Sequence, residues 1–299
     1  MTMAGPAGPG SVRTPDEWLP AASAHEARAD ALTAGRRRRR AAGERHPIDD
    51  FLYDYYGTKP SLLRLWHPGA GVVLGPTPDG QPAEHAAWRW YSLDRDGSVR
   101  LDVGAFLADR GDTARYVRAM LIATASRRPF VGCFGLHEWA MVYHQDDGRR
   151  RHSLPLRLGR AGTDAVLEAQ PIRCSHFDAF RFFTPDAALR NALRPTRDTQ
   201  IDLEQPGCLH AGMDLWKWAS KLGPAVPGDL ALDCFELAKD LRTLDLRASP
   251  YDLSSLGETA VAIETPDGKA EYVTRQRGFA ERAAVLRGRL IQVCDRLSS

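Results

Sequence analysis

The sequence predicts an α+β fold: a single mixed domain with a helix-rich C-terminal third, preceded by a flexible N-terminal extension. Three observations predict it. Short apolar and aromatic runs bounded by Gly and Pro dominate the middle of the chain, and three stretches with helical apolar spacing fill the last third. The N-terminal 44 residues, by contrast, are poor in large apolar side chains.

Residues 1–44 are expected to form a disordered basic extension and 45–299 a single catalytic domain. Gly, Pro and Ala open the chain, and 23–35 is rich enough in Ala for a short helix. Arg36, Arg37, Arg38, Arg39 and Arg40 form an unbroken run that reads as a mobile arm able to touch nucleic acid phosphates. From His46 the texture turns aromatic, with Phe51, Tyr53, Tyr55, Tyr56 and Trp66. Residues 69–82 supply turns, and the alternation of Trp88, Trp90 and Tyr91 suits a strand. Residues 115–126 carry apolar side chains at helical spacing and stop before Pro129.

Residues 130–134 read as a short strand, Gly135 as a turn, and 136–143 as a helix with His137 at its start. Residues 154–158 and 166–174 read as strands joined by a turn at 159–163, which places His176 just past a strand end. Amphipathic helices follow at 210–222, 229–248 and 279–297, punctuated by Pro224, Pro227 and Pro250. Between the last two, 260–265 and 270–275 flank PDGK as a hairpin.

At 299 residues and 43% hydrophobic content the chain is long and apolar enough for a real core. No apolar run approaches the ~18 residues of a membrane span, and the N-terminus lacks the pattern of a secretory signal, so no membrane association and a cytoplasmic address are expected. The five cysteines are scattered, with no CxxC pair, and reduced thiols are the expectation. A net charge of +2 is too mild to name a polyanionic partner.

Chemistry concentrates around histidines. HPIDDF (46–51), WHPG (66–69), GLHEW (135–139), CSHFD (174–178) and CLHAGMD (208–214) are dense clusters, and three of them pair a histidine with a carboxylate shortly after it. These pairs are His137 with Glu138, His176 with Asp178, and His210 with Asp214. Imidazole beside carboxylate suits acid/base work near neutral pH or metal ligation. On a helix His210 and Asp214 share a face, one turn apart. His137, His176 and His210 with a carboxylate would suit zinc, or iron if coordination positions stay open. Cys133, Cys174 and Cys208 lie close in sequence to the same histidines. His46 and His67, each followed by Pro, read as turn or capping elements, whereas His25, His85, His144 and His152 lie in polar surroundings without a partner pattern.

A second constellation is the acidic stripe of Asp233, Glu236 and Asp240, continued by Asp245, opposite an apolar face of Leu230, Phe235, Leu237, Leu241 and Leu244. Held in a cleft, one of these carboxylates would activate a water. A third is aromatic: Phe180 and Trp216 or Trp218 offer flat surfaces for a planar ligand, with Arg181 or Lys217 to hold its phosphate or carboxylate. No GxGxxG, Walker A or GxSxG motif is present, so nucleotide-cofactor and serine-hydrolase chemistry have no support.

The segments HPIDDFLYDYY, LRLWHPGAGV, GCFGLHEWAMVY, CSHFDAFRFFTP, QPGCLHAGMDLWKWASKL and DCFELAKDLRTLDLRASPYDL resemble a family of bacterial proteins that commonly carries the label 3-methyladenine DNA glycosylase, over residues 46–290. The resemblance implies a hydrolase that cleaves the N-glycosidic bond of alkylated bases in DNA, with no required cofactor. Aromatic rings would stack on the base while a carboxylate stabilises the developing sugar cation. The first expectation is therefore a DNA partner, aided by Arg36 to Arg40, with His137, Glu138, His176, Asp178, His210 and Asp214 as acid/base groups. The alternative is a metal-dependent enzyme, an iron oxygenase or oxidase or a zinc hydrolase, in which His137, His176 and His210 bind the ion and the substrate is a small molecule. A third reading, a binding module acting through the arginine run, predicts that function resides in residues 1–44.

Overall fold

The computed structural model describes residues 11–145 and 154–298, and the fold is α+β. His152 lies outside the described residues. Strand β1 (Ser11–Arg13) leads into α1 (Pro15–Ala41), followed by α2 (Phe51–Tyr55) and α3 (Pro60–Leu63). Strands β2 (Val72–Leu74), β3 (Tyr91–Leu93) and β4 (Val99–Leu101) precede the long α4 (Val103–Ala125). Short helices α5 (Leu136–Ala140), α6 (Gly159–Glu168), α7 (Phe177–Phe180), α8 (Pro185–Arg190) and α9 (Gln200–Leu203) then lead to α10 (Leu209–Leu222), α11 (Gly228–Arg247) and α12 (Pro266–Leu297). Among the described residues no helix is long and apolar enough to cross a membrane.

The segment expected to be a disordered extension is structural from residue 11 onward. β1 pairs in parallel with β2, forming one edge of a sheet of order β1-β2-β4-β3, in which the other pairs are antiparallel. α1 starts on Thr14, whose backbone N–H donates to the Glu17 carboxylate at 2.9 Å, with Pro15 at its first position. Trp18, His25, Ala29 and Thr33 face inward, and the Trp18 indole donates to the Gly75 carbonyl at 3.0 Å. The arginine run closes the helix instead of forming an arm. Arg36 and Arg39 both reach the buried Asp50, at 2.9 and 2.7 Å, and also engage Asp54 and Asp49. Composition hid this because, Trp18 aside, the helix docks through small residues, His25 and ion pairs, which a scan for large apolar side chains does not register.

Several local expectations are corrected. Residues 130–134 form no strand, and 154–174 contain helix α6 with only single bridges, Leu156 to Tyr251 and Ile172 to Asn191. Thr163 and Leu167 are the buried positions of α6, a four-residue spacing obscured by Gly159 and Gly162. The PDGK hairpin is the first turn of α12: Thr265 caps it by accepting from the Gly268 N–H at 3.1 Å, and Pro266 takes the first helical position. Trp88 and Trp90 precede β3 rather than forming it, and α4 begins twelve residues before the expected start at 115, capped by Asp102.

Helices α10 and α11 form the centre, flanked by α4 and α12. Met213, Leu215, Leu222, Leu230, Phe235, Leu237 and Leu241 are fully buried there, the apolar face of α11 among them. Gly212 lets the two helices approach, since a Cβ at that position would come within 2.7 Å of Leu241. The acidic stripe of α11 lies in surface ion pairs and not in a cleft: Asp233 with Arg28 and Arg289, Glu236 with Arg28, Asp240 with Arg282.

Because α1 is part of the fold, Trp18→Ala is expected to lower the unfolding free energy by about 3–5 kcal/mol in chemical denaturation. An unchanged midpoint would return the segment to the status of an extension.

Candidate functional site

The three histidine clusters meet. His137 enters from the first turn of α5, His176 from the residue before α7, and His210 from the first turn of α10. The His137 and His210 rings pack edge to face at 4.4 Å, and His176 stacks on His210 at 5.2 Å. α5 can begin where it does because Gly135 takes a left-handed φ of 68° and passes close to Ala248.

Each end of this row of rings is held by carboxylates that are themselves neutralised. His137 Nε2 lies 2.7 Å from Asp245 Oδ1, and Arg242 spans Asp245 and Glu138, each at 2.7 Å. At the other end His176 Nε2 lies 3.2 Å from Asp214 and 3.6 Å from Glu204. Lys217 pairs with Asp214 and sits 3.3 Å from Asp178, while the Tyr56 hydroxyl donates to Asp214 Oδ1 at 2.8 Å. Gln200 donates to Glu204 at 3.2 Å. Asp245, Asp214, Glu204 and Arg242 are each no more than 1% exposed, so these charges persist only because they are paired.

Proton affinities follow from this pairing. Burial works against a charged His137, yet the adjoining Asp245 lifts its pKa above the ordinary value. His210 is pushed well below the ordinary range by burial and then by His137. Asp214 and Asp245 resist burial and fall below the usual carboxylate range, Asp214 chiefly through Lys217 and Asp245 chiefly through His137. Burial raises Glu204. It also pushes the Cys174 thiol up to about 12 and Cys133 and Cys208 upward, so all three are thiols and poor nucleophiles.

Two sets of potential ligands result: His137, His210 and Asp245, and His176, Glu204 and Asp214, the ligand atoms of each set lying within 4.8 Å of one another. His176 Nδ1 and Glu138 Oε2 are buried without a hydrogen-bond partner, but Glu138 belongs to neither set and His176 faces Asp214 and Glu204 through Nε2, so the donor chemistry of the two sets, not these atoms, fits a cation. A cavity of about 20 Å³ adjoins the rings, lined by His137, His210, Cys133, Cys174 and Cys208, and is sized for one water or one ion.

A wider cleft of about 370 Å³ opens nearby, lined by Tyr56, His67, Trp90, Trp216, Lys59 and Thr58. Tyr56 belongs to both, lining the cleft and donating its hydroxyl to Asp214. Trp216 is fixed by donation to Thr58 at 2.9 Å. Trp90 holds a left-handed backbone (φ 66°), kept in place by its indole donating to Asp109 at 2.7 Å and by Arg89 over its ring. Burial pulls the His67 imidazole, bonded to Tyr91, down to about 3.

All six expected acid/base residues therefore lie in or beside one cluster, with Glu138 and Asp178 one step removed from the rings. The expected ligand-holding residues divide: Trp216 lines the cleft, Lys217 grips Asp214 and Asp178, and Trp218 is buried against Tyr116. Phe180 packs on Phe183, and Arg181 pairs with Asp178 and covers Phe182. Glu204, Arg242 and Tyr56 were not singled out from the sequence for the site. Asp245 was read as part of the acidic stripe, although its place four residues after Leu241 puts it on the apolar face of α11. His25 and His85, without a partner pattern in sequence, are buried on the Leu63 and Trp66 carbonyls at 2.9 Å.

No protein-family model, curated protein or solved structure matches the chain.

Asp245→Asn removes the counter-charge of His137 and one of the two that neutralise Arg242. It is expected to cost about 3–5 kcal/mol of stability, against about 0–1 kcal/mol for Asp240→Asn in its surface pair, both read from denaturant titrations.

Proposed function

We propose that the protein is a metal-dependent enzyme whose His/carboxylate cluster holds iron or zinc and whose substrate, a small molecule with a planar aromatic part, lies in the adjoining cleft. The observation that carries this reading is the convergence of His137, His210 and Asp245 with His176, Glu204 and Asp214 from separate segments of the chain, at spacings within reach of one ion each. Imidazole and carboxylate donors suit iron and zinc. Bound there, iron would supply redox chemistry and zinc a Lewis acid.

The chain's own residues have definable tasks in this reading. Trp216 and Trp90 offer flat apolar walls to an aromatic ring. Tyr56 keeps its proton, its pKa raised well above the usual phenol by burial and by Asp214, so its hydroxyl is a fixed donor between cleft and cluster. Arg242 and Lys217 hold Asp245 and Asp214 in one orientation. The free cysteines fit a reducing compartment such as the cytoplasm.

Base excision from alkylated DNA, which the family resemblance implies, would use the same aromatic cleft for a flipped base, with Asp214 behind Tyr56. Arg36 and Arg39 would then not be free for phosphates, being engaged with Asp49, Asp50 and Asp54. The cleft favours both readings, and the cluster favours the metal.

Elemental analysis of the purified protein separates them. Near-stoichiometric iron or zinc is expected, retained in Asp240→Asn and lost in His176→Ala and His210→Ala variants that keep the wild-type circular dichroism. Metal-free wild-type protein that takes up neither ion yet releases 3-methyladenine from alkylated DNA would replace this reading with the glycosylase one.

A further inference from the structure

Away from the cluster, a cavity of about 340 Å³ is lined by Arg127, Arg277, Arg287, Glu281, Val131 and Ala284, among others. Arg287, on α12, is only 2% exposed, and its Nη2 has no hydrogen-bond partner. No carboxylate among the described residues lies within ion-pair distance of it; Glu204 attracts it through space without contact. The contrast is Arg242, equally buried, whose guanidinium is neutralised by Glu138 and Asp245. A guanidinium stays protonated in proteins, so an unpaired one in the interior is an unmet demand for an anion.

The surroundings define that anion. Arg127 lies on the same cavity and donates to the Glu204 main-chain carbonyl at 2.8 Å, and the exposed Arg277 forms no ion pair among the described residues. Three guanidiniums against the single carboxylate of Glu281 leave the cavity positive, which suits a dianion better than a monoanion. The cavity is also larger than an oxyanion alone requires, and Val131, Pro129, Ala280 and Ala284 give it apolar lining.

We propose that this cavity binds a small molecule through its phosphate group, with the Arg287 guanidinium as the anchoring fork and Arg127 and Arg277 as its partners. The apolar lining takes the organic part of the ligand. This site is separate from the metal reading and stands without it, although the Arg127 bond to Glu204 places it against the same loop.

Calorimetric titration of the full chain at low salt, with inorganic phosphate, phenyl phosphate and benzoate, tests the assignment. Both phosphates are expected to bind, phenyl phosphate more tightly. Arg287→Met and Arg287→Lys should weaken both by about tenfold or more, and Arg277→Ala by less. In the absence of phosphate, Arg287→Met should melt no lower than wild type, since an apolar side chain replaces an unpaired buried charge. Wild-type protein that binds neither phosphate, affinities unchanged in both Arg287 variants, or benzoate bound as tightly as phenyl phosphate would each overturn the proposal. An oligonucleotide bound through Arg287 where phenyl phosphate is not would overturn it in favour of a nucleic acid.

Discussion

The structure depends on keeping a set of charges inside the molecule. Arg242, Asp245, Glu138, Asp214, Glu204 and the three histidines are nearly or wholly withdrawn from solvent, where each alone would cost several kcal/mol. The charges among them persist because they are paired, Arg242 by two carboxylates, His137 by Asp245, Asp214 by Lys217 and Tyr56, while burial keeps His210 uncharged. Such an arrangement constrains its scaffold closely. α5, α7, α10 and α11 must arrive in fixed register, because a shift of one helical position would leave a charge unpaired in the core.

From that constraint the rest of the site follows. The Gly212 contact that brings α10 against α11 sets His210 beside Asp245. Tyr56, delivered just after α2, ties Asp214 to the aromatic cleft, and α2 is in turn anchored to α1 through the Asp50 ion pairs. The N-terminal helix, far from the chemistry in sequence, thus helps to hold the wall of the cleft. Apolar packing supplies much of the stability, but the buried polar groups specify the geometry.

Much of this was legible in the sequence wherever period and chemistry coincided. The helices at 210–222 and 229–248 differ from the observed α10 and α11 by no more than one residue at either end, because their apolar spacing is long and regular. The convergence of His137, His176 and His210 was open to inference from clustering, but not the identity of their partners. Glu204 sits beside Asp202 with no histidine within four positions, and Arg242 and Asp245 resemble surface charges until one sees that they lie on the apolar face of α11. Gly and Pro misled twice: Gly159 and Gly162 disguised α6, and Thr-Pro-Asp-Gly, a turn signature, is equally a helix start. An Ala-rich helix is legible at 23–35, inside α1, but its docking is not, because that relies on arginine–aspartate pairs that link residues distant in sequence, such as Arg28 and Asp233.

The metal proposed for the buried cluster can be looked for directly. Anomalous diffraction from crystals of the protein grown with iron or zinc, recorded at the metal's absorption edge, tests it most directly. A bound ion is expected as a peak bounded by His176, Glu204 and Asp214, or by His137, His210 and Asp245, at ligand distances of about 2.0–2.2 Å. Density in which Lys217 and Arg242 still neutralise Asp214 and Asp245, with no anomalous peak in either set, would contradict it and leave the cluster as a purely structural network of buried charges.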